Sequence, residues 1–333
     1  MKATFESYIL KFKRPSGTSR GILKEKETFF IHLEENGKKG IGECGLLRTL
    51  SIDDRPDYEE KLKWTCQNIH LGLDILYEKL YEFPSIQFGL EQAFLDLKSE
   101  NSILFHSNFT NGQEGITING LIWMGDIDFM KNQIKEKLEQ GYSCVKMKIG
   151  ALNFNQEYEI LKKLRDDFPN LELRVDANGA FDTNNALNKL NTLNTLNLHS
   201  IEQPIKQNQW NDMAELCKKT PFPIALDEEL IGIFTPEEKI KLLETIKPQY
   251  IILKPSLIGG FKGSQEWISI AEKLNIKWWI TSALESNIGL NAIAQWTFTL
   301  HNSMPQGLGT GSLYTNNIPS RLEIRGEQLF YKT

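Results

Sequence analysis

Seven polar residues whose side chains could move protons or bind a metal recur along the chain at intervals of 25 to 29 residues. They are Asn119, Lys148, Asp176, Glu202, Asp227, Lys254 and Thr281. Each follows or ends a short apolar run, and the interval is the length of one strand plus one helix. In a barrel of parallel strands, the C-terminal strand ends open onto one face, where catalytic groups gather. The spacing therefore predicts that these residues surround a single mouth.

Three of these residues are acids on consecutive predicted strands, namely Asp176, Glu202 and Asp227. Three converging carboxylates repel one another unless a cation lies between them. Hard oxygen ligands, with positions left for water or substrate, favour Mg²⁺ or Mn²⁺ over Zn²⁺. His199 lies near Glu202 in sequence, but strand alternation turns it away, so we predict a packed histidine rather than a ligand. The acids therefore predict one divalent metal site.

Two lysines, Lys146 and Lys148, lie within one apolar strand and point to the same face of it. Burial and mutual repulsion are expected to lower their proton affinity, and a nearby metal cation would lower it further. A lysine with a lowered pKa can act as a general base near neutral pH. Lys254 follows the strand predicted at 250–253 and would face Lys148 across the mouth. Together they could act on either face of the carbon next to a metal-bound carboxylate.

Two regions of the sequence must position these residues. Residues 1–112 predict an α+β module, in which strands come first and helices follow. Its predicted elements are strands at 2–12 and 27–34, a hairpin turn at 35–40, and helices at 57–80 and 84–99. The polar stretch 107–115 is the predicted linker out of this module. The strand-like residues at about 313–333 are expected to return to it and complete it.

Residues 113–312 alternate short apolar strands with amphipathic helices, which is typical of an all-parallel sheet. Strands are predicted at 116–120, 143–149, 171–175, 199–202, 223–226, 250–253 and 278–281, with a weaker eighth near 305–309. Helices are predicted at 127–140, 156–168, 183–196, 207–219 and 235–246. Eight strands, without a Gly-x-Gly-x-x-Gly fingerprint or a P-loop, favour a closed (β/α) barrel over an open doubly wound sheet.

The composition excludes several classes of function. A net charge of -5 over 333 residues argues against nucleic acid or an anionic membrane as the main partner. The four scattered cysteines form no Cys-x-x-Cys pair, so neither a zinc ribbon nor a redox motif is indicated. With no secretory signal and no apolar run of roughly 18 residues, we expect a soluble cytoplasmic protein acting on a small carboxylate. The oligomeric state is left open.

The polar strand ends resemble those of the enolase superfamily, in its muconate lactonizing enzyme-like subgroup. The matching motifs are Lys146-Met-Lys148, Asp176-Ala-Asn-Gly-Ala180, Ile201-Glu-Gln-Pro204, Asp227-Glu228 and Leu253-Lys-Pro-Ser256 with Gly259-Gly260. The resemblance covers nearly the whole chain. It implies an α/β fold, a TIM-type (β/α) barrel with an N-terminal α+β capping domain, and Mg²⁺ (or Mn²⁺) on the three acids.

Within the superfamily, the sequence is most similar to the o-succinylbenzoate synthase family. The similarity lies in the capping stretch 42–56, which resembles a substrate-covering loop, and in residues 119–122, 282–286 and 307–310. It implies a lyase of menaquinone biosynthesis. This enzyme removes water, by syn elimination, from 2-succinyl-6-hydroxy-2,4-cyclohexadiene-1-carboxylate.

The resemblance also implies a role for each site residue. Lys148 would remove the α-proton and assist loss of the hydroxide, Lys254 would stabilise the anion, and Lys146 would tune Lys148. Substrate contacts are expected from Asn119 and Ser282, and support for the metal ligands from Asn178 and Glu228. Glu229 departs from the pattern, since many relatives have serine there, which leaves the ligand intact but changes its surroundings.

Other functions remain open at this point. An N-succinylamino acid racemase or a dipeptide epimerase would use Lys148 and Lys254 as a paired acid and base. Dipeptide epimerases typically carry Asp-x-Asp on the last strand, and residues 305–312 contain no acid. Sugar-acid dehydratases usually place a histidine after the seventh strand, where Thr281 and Ser282 stand. A non-catalytic binding barrel is a remote alternative, because all three acids and all three lysines are retained.

Overall fold

The computed structural model of the protein describes residues 1–18 and 21–333. The chain begins with an antiparallel sheet in the order β1 (Lys2–Thr18), β2 (Gly21–Glu35) and β3 (Lys38–Cys44). The turn between β2 and β3 contains Asn36 and Gly37, whose φ angles are 52° and 78°. Positive φ at both positions is typical of a type I′ turn, which Asn-Gly favours. The predicted hairpin is confirmed.

Three helices follow this sheet: α1 (Tyr58–Gln67), α2 (Gly72–Lys79) and α3 (Pro84–Lys98). The prediction of one helical segment over 57–80 is wrong, because a 3₁₀ turn and Gly72, with φ of 79°, separate α1 from α2. Helix α3 packs closely on β3. A Cβ atom at Gly42 would lie 1.9 Å from the carbonyl oxygen of Gly89, so the contact requires glycine there.

A seven-stranded parallel sheet carries the predicted site. In spatial order, which is also chain order, its strands are β5 (Gly120–Ile122), β6 (Cys144–Lys148), β7 (Glu172–Asp176), β8 (Ser200–Glu202), β9 (Ile224–Leu226), β10 (Tyr250–Leu253) and β11 (Lys277–Ile280). The intervening helices are α4 (Ile127–Glu139), α5 (Phe154–Asp167), α6 (Thr183–Leu193), α7 (Trp210–Lys219), α8 (Pro236–Ile246) and α9 (Gly260–Lys273), and α10 (Asn287–Thr299) follows β11. Apolar side chains of strands and helices form the main core.

Two residues close this sheet into a ring. Gln306 bridges to Ile118, and Gly307 bridges to Thr281, both in parallel orientation. The Gly307 N–H donates to the carbonyl of Ile280 at 2.8 Å, which joins the segment to the last strand. The eighth strand predicted near 305–309 is therefore reduced to two bridging residues, and the closed barrel is confirmed.

The strand predicted at 116–120 is divided between two sheets. Strand β4 (Ile116–Thr117) pairs with β13 (Gln328–Tyr331), which pairs with β12 (Leu322–Arg325). The barrel strand β5 starts only at Gly120. Asn119 therefore precedes its strand, contrary to the prediction that it ends one. Its backbone N–H donates to the Gln306 carbonyl at 3.0 Å.

The C-terminal segment contacts the first sheet along the edge of β1. The Lys13 N–H donates to the Leu313 carbonyl, and the Thr315 N–H donates to the Lys11 carbonyl, both at 2.8 Å. Strands β12 and β13 pair with β4 instead of with β1. The boundary between a capping domain and a barrel stays a prediction. Within residues 1–18 and 21–333, no helix is long and apolar enough to cross a membrane.

Candidate metal and proton-transfer site

The strand register brings the predicted acids and lysines together at one end of the barrel. Lys148 on β6 lies opposite Asp176 on β7, which in turn lies opposite Glu202 on β8. Asp227 directly follows β9, and Lys254 directly follows β10. The three acids are buried, and the Lys148 side chain is 13% exposed. The predicted ring of strand-end residues is therefore present, and its polar groups are almost entirely shielded from solvent.

Each acid of the ring contacts a lysine. Lys146 Nζ contacts Glu202 Oε2 and lies 3.1 Å from Asp176 Oδ2. Lys148 Nζ lies 2.9 Å from the same Asp176 oxygen, and Lys254 Nζ contacts Asp227 Oδ2. In the part of the chain that the structure describes, no three acid, histidine or cysteine side chains converge closely enough to form a metal-binding group by themselves. The ammonium group of Lys146 lies between two of the carboxylates instead.

The acids nevertheless fit a divalent cation. Glu202 Oε1 is fully buried and has no hydrogen-bond partner among the described residues. A buried carboxylate oxygen without a donor is costly, so this atom has a free coordination position. All three candidate ligands are carboxylates, the hard oxygen donors that Mg²⁺ and Mn²⁺ prefer.

The electrostatics of the ring differ from the sequence expectation. Burial lowers the pKa of Lys146 and of Lys254, but neighbouring carboxylates outweigh burial and raise both pKa values. The prediction of a lowered pKa is therefore wrong for Lys146 in this arrangement. Burial raises the pKa of Glu202, and the Asp176 charge raises it further. Burial also acts to raise the pKa of Asp176, but the charges of Lys146 and Lys148 hold that pKa below the usual range.

Asn178 connects Lys148 to the loop after β9. Its side-chain oxygen accepts a hydrogen bond from Lys148 Nζ at 2.7 Å, and its amide nitrogen donates to Glu228 Oε1 at 3.0 Å. Its backbone N–H donates to Asp176 Oδ1 at 3.0 Å. The backbone of Asn178 is in the left-handed region, with a φ of 43°. Asn178 thus contacts one candidate metal ligand, Asp176, and links it to Glu228, and their support of the metal ligands stays a prediction.

Gln203 is a site residue that sequence reasoning missed. Its side-chain oxygen accepts from the N–H groups of Asp227 and Glu229, at 3.2 and 3.3 Å, and its amide donates to Glu229 Oε2 at 3.0 Å. Glu229 also accepts from the N–H of Asn208 at 2.8 Å. The residue that departs from the family pattern therefore ties together the loops after β8 and β9. The motif Glu202-Gln-Pro gave the position of Gln203 but not its partners.

A cavity of about 370 Å³ lies above the ring. Its barrel lining includes Asn119, Lys146, Lys148, Asp176, Asn178, Lys254, Thr281, Ser282, Gly307 and Thr310. The Ser282 hydroxyl donates to Glu285 Oε2 at 2.7 Å and accepts from Thr310 Oγ1 at 2.9 Å. Its proton is therefore engaged within the protein, and substrate contact by Ser282 stays a prediction.

The N-terminal region contributes two segments to this cavity, residues 21–23 at the start of β2 and residues 47–50 after β3. Of the predicted covering stretch 42–56, only 47–50 lines the cavity, because residues 42–44 belong to β3. The segment 21–23 was missed in the sequence, as was Trp123. Ile22 lines the cavity although its side chain is 70% exposed.

Comparison with known proteins agrees with this geometry. Residues 130–329, more than half of the chain, match the family described as Enolase C-terminal domain-like. The chain is also 46% identical to the o-succinylbenzoate synthase of Desulfotalea psychrophila, over 98% of each protein. The chain belongs to the enolase superfamily.

A solved structure and a second relative refine this assignment. The crystal structure of MenC from Desulfotalea psychrophila LSv54 matches with a TM-score of 0.88 and 42% identity, over 99% of each chain. The N-succinylamino acid racemase of Thermus thermophilus is 29% identical, over 82% of this chain and 75% of the racemase. The predicted superfamily and fold are confirmed. The similarity to the synthase exceeds that to the racemase in both identity and coverage.

Proposed function

We propose that this enolase superfamily member is an o-succinylbenzoate synthase of menaquinone biosynthesis. It would dehydrate 2-succinyl-6-hydroxy-2,4-cyclohexadiene-1-carboxylate to 2-succinylbenzoate, as a carbon–oxygen hydro-lyase. The observation that carries this proposal is 46% identity to a synthase over 98% of both proteins. The lysines and acids that line or underlie the cavity suit the reaction, which removes a proton next to a carboxylate.

Asp176, Glu202 and Asp227 would hold one divalent cation, with Mg²⁺ as the first choice and Mn²⁺ as the alternative. Support comes from their carboxylate chemistry and from the unpartnered Glu202 Oε1. A bound cation supplies positive charge that stabilises the negative charge developing on the substrate carboxylate. The carboxylates would then attract Lys146 and Lys254 less strongly, so the pKa of both lysines would fall from its raised value.

The proton chemistry would be performed by Lys148. As a neutral amine, its Nζ would accept the proton from the ring carbon that bears the carboxylate. The resulting ammonium would return this proton to the departing hydroxyl group on the same face, so that water leaves and the ring becomes aromatic. Asn178, which accepts from Lys148 Nζ at 2.7 Å, would orient the amine between these steps.

The remaining site residues would bind and orient. Lys254, held by Asp227, would stay protonated and stabilise the anionic substrate from the other face. Lys146 would hold Asp176 and Glu202 in place and adjust the proton affinity of Lys148. Asn119 and Ser282, both on the cavity wall, would contact the substrate.

The direct test is the loss of cyclohexadiene absorbance when purified protein is mixed with substrate and Mg²⁺. We expect turnover that stops on chelation and returns when Mg²⁺ or Mn²⁺ is added back. The same assay on heat-inactivated protein corrects for spontaneous dehydration of the substrate. No turnover above that control would refute the synthase proposal, and turnover that persists after chelation would refute the metal site.

N-succinylamino acid racemase is the second candidate, because Lys148 and Lys254 each contact an acid of the ring. The 29% identity to a racemase supports it less strongly. The variant Lys254→Ala separates the two mechanisms. A racemase should lose solvent deuterium exchange for one enantiomer of an N-succinyl amino acid, whereas a one-base dehydration should retain proton removal at Lys148.

A further inference from the structure

Three charged side chains lie buried between the first sheet and the barrel, away from the lysine–acid ring. They are Lys26 on β2, Glu43 on β3 and Glu285 in the loop before α10, and none is more than 3% exposed. Lys26 Nζ lies 3.9 Å from Glu43 Oε1 and has no hydrogen-bond acceptor in residues 1–18 and 21–333. A buried ammonium group without a hydrogen bond is costly.

Glu43 joins β3 to the start of α10. Its carboxylate accepts from the N–H groups of Ser286 and Gly289, both at 2.9 Å, and from the Ser286 hydroxyl. Thr28 Oγ1 donates to it at 2.8 Å from the neighbouring strand β2. A carboxylate at a helix N-terminus satisfies free N–H groups and complements the helix dipole. The first sheet is thus fixed to the helix that follows β11.

Glu285 joins the ends of β10 and β11. It accepts hydrogen bonds from the hydroxyl groups of Ser256, two residues after Lys254, and of Ser282, which lines the cavity. The two buried acids are also neighbours. A Cβ atom at Gly289 would lie 2.9 Å from both Glu43 Oε2 and the Glu285 side chain. The Lys26 ammonium group therefore lies 3.9 Å from the Glu43 carboxylate, and the Glu285 side chain lies next to that carboxylate.

The sequence neighbours of this cluster reach the cavity. Leu23 precedes Lys26 by three residues on β2, and Leu47 follows shortly after Glu43, and both line the cavity wall. Burial lowers the pKa of Lys26, while the Glu43 and Glu285 charges act in the opposite direction, as expected if the ammonium senses both acids. The cluster therefore connects the covering segments 21–23 and 47–50 with the strand ends that carry Lys254 and Ser282.

We propose that Lys26, Glu43 and Glu285 form a positioning cluster that fixes the covering segments over the cavity and thereby sets substrate affinity. The kinetic part of this proposal rests on the proposed synthase function. Lys26 supplies the positive charge that allows the two carboxylates to lie side by side. Without it, their repulsion displaces Glu285 from Ser256 and Ser282, or Glu43 from the start of α10.

The test is Lys26→Met, which removes the charge but keeps an unbranched side chain. We expect KM to rise about tenfold with kcat within about twofold, because the reacting lysines are untouched. Amide hydrogen exchange should become faster in residues 44–50 and 282–289 but not in 144–148. Lys24→Met, at an exposed position of the same strand, is the matched control and should leave KM, kcat and hydrogen exchange unchanged.

A second variant tests the charge explanation. In the Lys26→Met background, Glu285→Gln should return KM and hydrogen exchange towards wild type, because it removes one of the two unpaired charges. A folded Lys26→Met protein with the KM and exchange of the Lys24→Met control would overturn the proposal. If Lys26→Met does not fold, Glu285→Gln alone decides, and unchanged KM and exchange would then overturn it. Hydrogen exchange requires no turnover, so a wild-type protein without synthase activity would refute the function and leave the cluster testable.

Discussion

The charged side chains at the two ends of the barrel differ in the partners that they contact. At the N-terminal end, Arg174 is 1% exposed, and its guanidinium donates to Glu172 Oε1 at 2.7 Å and to the Pro305 carbonyl at 3.0 Å. The same group lies over the Trp279 ring, 4.4 Å from its centroid. His199 stacks there on Tyr250, with ring centroids 5.0 Å apart, and is packed as the sequence predicts. The Arg174 guanidinium is thus paired with Glu172, although its Nη2 atom, 2.7 Å from Glu172 Oε1, makes no hydrogen bond within the described residues.

At the C-terminal end, the acids are paired with lysine side chains, and a bound cation could replace these lysines as their partner. Asp176 lies two residues after Arg174 on β7, yet its carboxylate is shared by Lys146 and Lys148. Glu202 retains a buried oxygen without a partner in the described chain. We therefore expect one strand to serve stability at one end and chemistry at the other, as is typical of this barrel type. Mutations at the two ends should separate activity from stability.

The largest expected effect is that of Lys148→Ala on turnover. Loss of a general base typically costs about 10²- to 10⁴-fold, and we expect kcat to fall by about 10³-fold in the absorbance assay. Unfolding by denaturant should change little, because the lysine is not needed to hold the strand. Lys163→Ala, at a side chain that is 67% exposed, is the control and should retain full activity. Retention of activity in Lys148→Ala would remove this residue from the mechanism.

Glu202→Gln should affect metal binding more than folding. We expect the affinity for Mg²⁺, measured by calorimetry, to fall by about 100-fold or more, since even outer contacts of metal ligands contribute 10- to 100-fold. The free energy of unfolding in chelator should change by less than about 1 kcal/mol, because burial and Asp176 already disfavour the charged form of Glu202. If Glu202→Gln lost much stability but kept its Mg²⁺ affinity, the C-terminal end of the barrel would serve stability rather than metal binding, contrary to our expectation.

Arg174→Leu should show the opposite behaviour. Removal of a buried charge with its hydrogen bonds should lower the free energy of unfolding by about 2 to 3 kcal/mol. The kcat of the folded fraction should stay within about threefold of wild type, since the residue lies below the ring. Arg325→Leu provides a surface control, because that side chain is 59% exposed. If Arg174→Leu abolished turnover without loss of stability, the N-terminal end would not be purely structural.

The smallest effect is expected for Glu229→Ser, which restores the residue that many relatives carry. The contacts of Glu229 with Gln203 and Asn208 would be lost, while the Asp227 side chain would remain. We expect Mg²⁺ affinity and kcat/KM to fall by no more than about tenfold. The matched variant Glu229→Gln should lie between serine and wild type, because glutamine can still accept the Asn208 N–H.

The sequence predicts the positions of these strand-end residues well because strand ends carry a strong local signal. Lys148, Asp176 and Glu202 each interrupt an apolar run, and parallel register then places them side by side without further information. The proton affinity of the lysines could not be predicted in the same way. The proton affinity of each lysine depends on which carboxylates its ammonium group contacts. Lys146 reaches both Asp176 and Glu202, and their charges reverse the effect of burial.

Features that depend on distant partners were missed for a physical reason. Residues 116–120 are apolar enough for one strand, and only the pairing of Ile116 with Leu329 shows that β4 belongs to another sheet. The helical periodicity of 57–80 continues across Gly72, so the break is visible only in its backbone angle. Likewise, the contribution of residues 21–23 to the cavity depends on how the first sheet lies on the barrel.

The pairing of residues 313–315 with β1 has a consequence for synthesis of the chain. Lys13 and Leu313 are 300 residues apart, so the outer edge of β1 gains this partner only after 300 further residues have been synthesised. Until then, a strand of 17 residues presents unpaired N–H and carbonyl groups to any neighbouring chain. Contacts of such long range also slow folding. The edge of β1 is therefore open to pairing with other chains until residues 313–315 are synthesised, and these residues then cover it at Lys11 and Lys13.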